Sequence, residues 1–282
     1  MLLDIHPLDD ALGAEVSGLD NAQDLRAEDS KAIQNAFLEH HLLCIRSTPL
    51  TPEAFVGLAC HFGKPKIHVL RRRRHGEVQE VAVMDSTYKR PEDKPEDFNL
   101  DRKSAWHTDD SYFETPAKVS LLQAMAIPDT GGQTRFCNTR KAYEDLSEEE
   151  RQRIDGLQAV HGYDTMRAPA RAAKRTKEEE AETPDVIHPL VRTHDDTGAK
   201  AIYFNPNRTD RIVGMERAES DALLDSVHKT ITQEKYRYDH EWGVGDILVW
   251  DNRCVVHSVN MDFPVGQPRL HQRILIAGTR PF

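Results

Sequence analysis

The stretch Trp106-His107-Thr108-Asp109 carries the residue types and spacing most able to do chemistry. In an extended backbone, side chains two apart point to the same side, so His107 and Asp109 can offer an imidazole nitrogen and a carboxylate oxygen to one point. A metal ion could sit there. His257 is the third candidate ligand, because it closes an apolar run after Trp250-Asp251-Asn252-Arg253-Cys254 and so reads as the rim residue of a buried strand. Two histidines and one carboxylate make a facial triad suited to non-haem iron(II), with open positions for a co-substrate and oxygen. A plainer origin stands beside this reading. With 14 histidines and 47 acidic residues, a His-x-Asp triplet also arises by chance, so its surroundings must decide.

The final strand, about 269 to 278, offers Arg269 and Arg273. Four apart, they share one face at a separation of about 13 Å, and their planar forks suit two different carboxylate or sulfonate groups. A surface-facing arginine pair on an edge strand is the alternative.

The other elements follow from periodicity and turn chemistry. A short strand falls within 7 to 20, and a helix over 27 to 41 has Asp29 or Ser30 as its cap. A strand over 41 to 46 is followed by a helix capped by Thr51 with Pro52 at its first position, running to about His61. Val78 to Met84 reads as a strand. Residues 119 to 127 and 134 to 137 read as a hairpin-like pair joined by Pro128-Asp129-Thr130-Gly131-Gly132. Helices are expected over 140 to 157, with a second start at Ser147, and over 217 to 232. Strands are expected at 188 to 194, 201 to 205, 236 to 242, 247 to 250 and 255 to 257. Charged residues 89 to 97 form a loop that could edge the pocket, and 166 to 185 an exposed helical or mobile excursion. Many short strands with helices mainly in the first half predict a mainly β chain with added helices (α+β), arranged as a jelly roll. No linker splits residues 1 to 282, which predicts one domain.

Composition narrows the partners. A net charge of −10 argues against nucleic acid, and the apolar runs are too short to span a bilayer. The start of the chain has no signal-peptide pattern, so a cytoplasmic location is expected. Cys44, Cys60, Cys137 and Cys254 form no Cys-x-x-Cys pair and read as reduced, mostly core residues. The one dense basic run, Arg71-Arg72-Arg73-Arg74-His75, is either a solvated loop or a source of one or two arginines for an anionic ligand.

Several motifs together carry a resemblance: Gly13-Ala14-Glu15-Val16-Ser17-Gly18, His61-Phe62-Gly63, Trp106-His107-Thr108-Asp109, Pro128 to Thr134, His188-Pro189-Leu190-Val191-Arg192-Thr193-His194 and Trp250-Asp251-Asn252-Arg253. In this order, over nearly the whole chain, the sequence resembles the taurine dioxygenase and 2,4-dichlorophenoxyacetate dioxygenase family of iron(II)- and 2-oxoglutarate-dependent enzymes. The resemblance implies a double-stranded β-helix, with Fe(II) on His107, Asp109 and His257 and with 2-oxoglutarate and O2 as co-substrates. Thr134, 25 residues after Asp109, and Arg269, 12 after His257, match the family's contacts to the distal carboxylate of 2-oxoglutarate. Arg273 matches the clamp for the substrate's anionic group, and His68 falls near a further anion contact. By approximate alignment Arg71 and Lys103 replace a tyrosine and an asparagine of the taurine pocket, and Tyr163 and Asn207 are further pocket candidates. The added positive charge implies a small anionic substrate other than taurine: a carboxylate, sulfonate or sulfate ester. The implied reaction hydroxylates an unactivated carbon and releases succinate and carbon dioxide. Family members are commonly dimers or tetramers, so a homo-oligomer is expected. Two other readings stay open: a zinc-dependent hydrolase using the same triad, and a non-catalytic jelly-roll anion sensor.

Overall fold

The computed structural model describes residues 3–19, 25–87, 105–168 and 174–282. The first part of the chain runs β1 (Asp4–Pro7), β2 (Ala14–Ser17), α1 (Ala27–His40), β3 (Leu42–Ile45), α2 (Pro52–Cys60), β4 (Pro65–Lys66), a 3₁₀ turn (Arg71–Arg73) and β5 (Ala82–Asp85). Then follow β6 (Ala117–Ala126), β7 (Thr134–Asn138), α3 (Thr139–Glu144), α4 (Glu148–Ile154), β8 (Gln158–His161), α5 (Lys177–Ala181), β9 (Val186–Pro189), β10 (Val191–Thr193) and β11 (Lys200–Ile202). The last part holds β12 (Thr209–Ile212), α6 (Arg217–Ile231), β13 (Arg237–His240), β14 (Ile247–Asp251), β15 (Val255–Val259) and β16 (Leu270–Ala277). It is a sheet-rich chain with a few helices. No helix of the described residues is long and apolar enough to cross a membrane.

The larger sheet has eight strands in the order β1-β2-β3-β14-β6-β16-β4, with β5 also on β16. Its two faces are sorted by the two-residue period of its strands. Ile247, Val249, Ile274 and Ile276 pack under α1 and α2 with Ile33, Phe37, Phe55 and Leu58. The alternate residues Leu122, Leu248 and Trp250 turn the other way, against Phe136 and Val255 of a three-stranded sheet, β13-β7-β15. That small sheet has its own back layer, where Cys137 and Val256 meet Leu224, Val227 and Ile231 of α6. Chemistry between the two sheets is therefore shielded on both sides by packed helices.

Local signals explain most boundaries. The Thr51 hydroxyl accepts from Ala54 N at 3.3 Å with Pro52 at the first helical position, a cap worth about 1 kcal/mol. Ser147 and Glu150 form a reciprocal capping box at α4. Three expectations need correction. The cap of α1 is Arg26, whose side chain does not cap the helix N–H groups but ion-pairs with Asp29 in the first turn. The strand expected from Val78 starts at Ala82, because a turn closed by Val81 N to Val78 O precedes it.

The third correction places the site. β6 and β7 are not a hairpin: β6 pairs with β14 and β16, whereas β7 pairs with β13 and β15. The connection through Gly131 and Gly132, both at positive φ (72° and 73°), crosses from one sheet to the other. A Cβ on Gly131 would come within 2.5 Å of the Asp262 carboxylate, so only glycine lets the crossing pack there. Of the excursion expected over 166 to 185, the described part holds α5 and is mostly exposed, and it is tied down at Glu179, which is buried and accepts from Arg71 N at 2.9 Å.

Candidate active site

The His107 segment is joined to the small sheet by reciprocal backbone bonds with His257, at 2.9 and 2.7 Å. This bridge sets the two imidazoles side by side, with ring centroids 4.1 Å apart. One ligand atom each from His107, Asp109 and His257 lies within 4.8 Å of the others. His107 Nδ1 is 2.9 Å from Ala105 O, so it holds the ring proton there and leaves the Nε2 lone pair facing Asp109 at 4.0 Å. His257 Nε2 stands 3.9 Å from Asp109 Oδ2. Ser120 donates to the same oxygen at 2.7 Å, and Asn252, itself held by Trp250 Nε1, donates to Ser120 at 2.6 Å. Burial pushes the Asp109 carboxyl up, but Arg273, His257 and His107 together outweigh it and hold it ionised. Burial lowers both histidines, which keeps them neutral. Two neutral imidazoles and a fixed carboxylate are a donor set that fits a divalent first-row metal.

His271 and Arg273 lie on the face of β16 turned toward the small sheet, and Arg269 immediately precedes that strand. Arg269 is buried and donates to Gly132 O and to Thr134 Oγ1, both at 2.9 Å, while Trp242 Nε1 reaches the same hydroxyl at 3.0 Å. Among the described residues no carboxylate lies within ion-pair distance of Arg269. Burial pulls its pKa down to about 10. An unpaired buried cation costs several kcal/mol, so its place between two sheets fits an anionic ligand rather than a packing role. His271 is fully buried against Trp242, with ring centroids 4.6 Å apart, and neither of its ring nitrogens has a hydrogen-bond partner among the described residues. The sequence reading passed over it, although the period that pairs 269 with 273 also puts 271 between them.

Arg273 donates to Asp109 Oδ1 at 2.7 Å. His68 is buried, and its Nδ1 accepts from Leu70 N at 3.0 Å, so the neutral ring carries its proton on Nε2. Burial, then Arg273 and Arg73, lower its pKa to about 3. Tyr163 is buried with Val69, Leu70 and Tyr112. Asn207 sits in the turn after β11 with its side-chain oxygen buried and without a partner among the described residues. Arg71 is turned away: it is exposed and bonded to Glu182 at 2.6 Å. Arg73, two residues on, points inward instead. Lys103 and the 89 to 103 loop lie outside the described residues.

Asn205 was also missed. Its amide donates to Thr108 O at 2.7 Å and to Ser111 Oγ at 2.8 Å, which fixes the segment that carries His107 and Asp109 to the turn after β11. Nothing in its spacing marks it, because the contact joins residues 97 apart.

Comparison with known proteins agrees with this geometry. The family described as taurine catabolism dioxygenase TauD, TfdA matches residues 4–275. The chain is 31% identical over 288 residues to an alpha-ketoglutarate-dependent sulfate ester dioxygenase of Pseudomonas putida, covering 99% of this chain and 91% of that protein. It is 31% identical over 286 residues to an (S)-phenoxypropionate/alpha-ketoglutarate-dioxygenase of Sphingobium herbicidovorans, covering 98% and 95%. The crystal structure of AAD-2 with Mn(II) and N-oxalylglycine superposes with a TM-score of 0.83 at 28% identity, over 100% of this chain and 99% of that one. A match of this length, meeting a His-Asp-His cluster and a buried arginine, makes the chain a member of the TauD, TfdA family of iron(II)- and 2-oxoglutarate-dependent dioxygenases.

Proposed function

We propose that this enzyme hydroxylates an unactivated carbon of a small anionic substrate, with His107, Asp109 and His257 holding iron(II), Thr134 and Arg269 holding the distal carboxylate of 2-oxoglutarate, and Arg273 with His68 meeting the substrate's anionic group. The observation that carries it is the Arg269 guanidinium, buried against Thr134 just ahead of the strand that bears Arg273 and, among the described residues, without a carboxylate partner. A hydrolase or a simple anion sensor has no use for two anion clamps beside a triad. The substrate class rests on the relatives, which are described as acting on a sulfate ester and a phenoxypropionate.

When bound, iron with 2-oxoglutarate supplies the oxidising power for hydrogen removal from carbon. The protein's own residues position and exclude. Ser120 and Asn252 fix the Asp109 carboxylate, and Ala105 O fixes the His107 ring. Arg269 and Thr134 orient the co-substrate by its far end, and His271 with Trp242 walls the space beside it. Arg273 and His68 hold the substrate by its charge, so that the carbon near that charge faces the triad. Hydroxylation beside an ether or sulfate oxygen gives a product that falls apart unaided.

The two facing sheets support a jelly roll, and the shared core layers support one domain over residues 1 to 282. A dimer or tetramer in the cytoplasm completes the reading. The test is succinate formation in air with iron(II), 2-oxoglutarate and a panel of phenoxyalkanoates, alkyl sulfates and sulfonates. At least one compound should raise succinate release several-fold in the wild type but not in His257→Ala; a flat response over the whole panel would count against a small-anion hydroxylase.

A further inference from the structure

Two arginines near the triad are used by nothing described so far. Arg208 is anchored by its backbone, whose carbonyl accepts from Gly162 N at 2.9 Å, and by its own donation to Tyr163 O. Its guanidinium carbon lies 4.6 Å from the Tyr163 ring centroid and 5.6 Å from that of Tyr112. Arg73 comes from the opposite wall. Its Nη1 reaches Met84 Sδ at 3.5 Å, and Met84 and Ala82 pair across the sheet with His271 and Arg273, so Arg73 lies over the face that carries Arg273. Both arginines act on the Tyr163 phenol, where burial raises the pKa and Arg208 and then Arg73 oppose it.

Neither cation has a carboxylate within ion-pair distance among the described residues. The nearby acids are engaged elsewhere: Asp110 by Lys66 at 2.9 Å, Asp164 by Arg175 at 3.3 Å, Glu182 by Arg71 at 2.6 Å and Asp210 by Arg211 at 2.8 Å. Three cations, Arg73, Arg208 and Arg273, thus gather around Tyr112 and Tyr163, and among the described residues the one acid in ion-pair contact with any of them is Asp109, itself proposed to bind metal. One substrate anion neutralises one of them. Like charges held together in a half-buried pocket repel, and a second anion would relieve that repulsion.

We propose that the primary substrate is a dianion, with one acidic group on Arg273 and His68 and a second on Arg73 and Arg208 between the rings of Tyr112 and Tyr163. The inference rests on the reading above, which needs only one substrate anion. Arginine's fork suits a terminal carboxylate, sulfonate or sulfate in the second position, and the two tyrosines suit an apolar or flat body between the charges.

The experiment uses anaerobic enzyme loaded with iron(II) and 2-oxoglutarate, titrated calorimetrically with phenoxyacetate and with its 3-sulfo and 4-sulfo derivatives. At least one sulfonated compound should bind about 10- to 100-fold more tightly than phenoxyacetate, as expected for a gained charge-assisted contact. Arg73→Gln and Arg208→Gln should each remove most of that preference while phenoxyacetate binding changes little, and Arg208→Lys should keep part of it. The proposal is overturned if neither sulfonated compound binds more tightly, including when none binds, or if the preference survives both glutamine variants. A separate 2-oxoglutarate titration separates the two levels: if it binds while the dianion preference is missing, only this inference fails, and if it does not bind, the underlying reading fails with it.

Discussion

The two ends of the site are built differently. At the proposed co-substrate end, Thr134, Trp242, Arg269 and His271 come from or directly flank strands of the two facing sheets, and the polar groups of Arg269, Thr134 and Trp242 are closed by one another and by a backbone carbonyl. At the proposed substrate end, His68, Arg73, Tyr163 and Arg208 come from turns, and among the described residues Arg73 and Arg208 meet no acid. The strand-borne end is fixed by register and can change little without breaking the sheets. The turn-borne end can change residue by residue, which is where a family with one reaction would set different substrates.

The largest expected effect is at the rigid end. Arg269→Met should weaken 2-oxoglutarate binding by roughly 100-fold or more, since truncating a buried charge clamp costs about 3 kcal/mol or above. The same variant should melt no lower than wild type without 2-oxoglutarate, because methionine removes an unpaired buried cation. Calorimetry and thermal melts in parallel check both halves; a variant that melts much lower would make Arg269 a structural residue. Next in size, Arg273→Gln should raise the KM for a monoanionic substrate by about 10-fold, since one charge-assisted bond is lost at a rim supported by His68. Its 2-oxoglutarate affinity should stay close to wild type, and a parallel loss of both would erase the distinction between the ends.

A third prediction concerns acid. Burial lowers His41 to about 4, with Asp251 opposing and Arg140 adding, and lowers His68 to about 3 and His188 to about 4. The folded state binds these protons less readily than the unfolded chain, whose histidines titrate near 6.5. Stability should therefore be full above pH 6.5 and fall as pH drops toward 4, each site contributing on the order of 2–3 kcal/mol by the lower limit. Denaturant melts between pH 8 and 4 test this, and His41→Asn, which suits the left-handed cap at φ 59° after α1, should flatten the curve. His68 stays neutral over that range, so its contribution to substrate affinity should not vary with pH. The smallest effect is expected at Arg71: Arg71→Ala should leave the preference for a sulfonated compound and the melting temperature unchanged, whereas Arg73→Gln should remove that preference.

The same contrast explains what could be read from the sequence. The grouping of His107, Asp109 and His257 and the shared face of Arg269 and Arg273 were read from residue types and strand period, whereas the part given to Thr134 came only with the family resemblance. The four-arginine run was legible only as a charge. A 3₁₀ turn sends Arg71 outward to Glu182 and Arg73 inward to Met84, and that split depends on α5, which lies over 100 residues later. Arg208 and Asn205 had no local pattern, since their partners are set by how the turn after β11 docks. The hairpin expected between β6 and β7 failed for a related reason. Both segments are good strands, but the chain between them crosses to the opposite sheet, which pairing propensity alone does not reveal.

The central claim is that an unpaired arginine between two sheets and a His-Asp-His cluster together make one iron and 2-oxoglutarate site. It is tested most directly by adding iron(II) and then 2-oxoglutarate to the metal-free protein without oxygen, and following the weak visible band produced when the keto acid chelates iron(II). The account predicts a band in the wild type that is absent in His257→Ala and needs far more 2-oxoglutarate in Arg269→Met. A folded wild-type protein that binds iron(II) yet shows no band at saturating 2-oxoglutarate would contradict it.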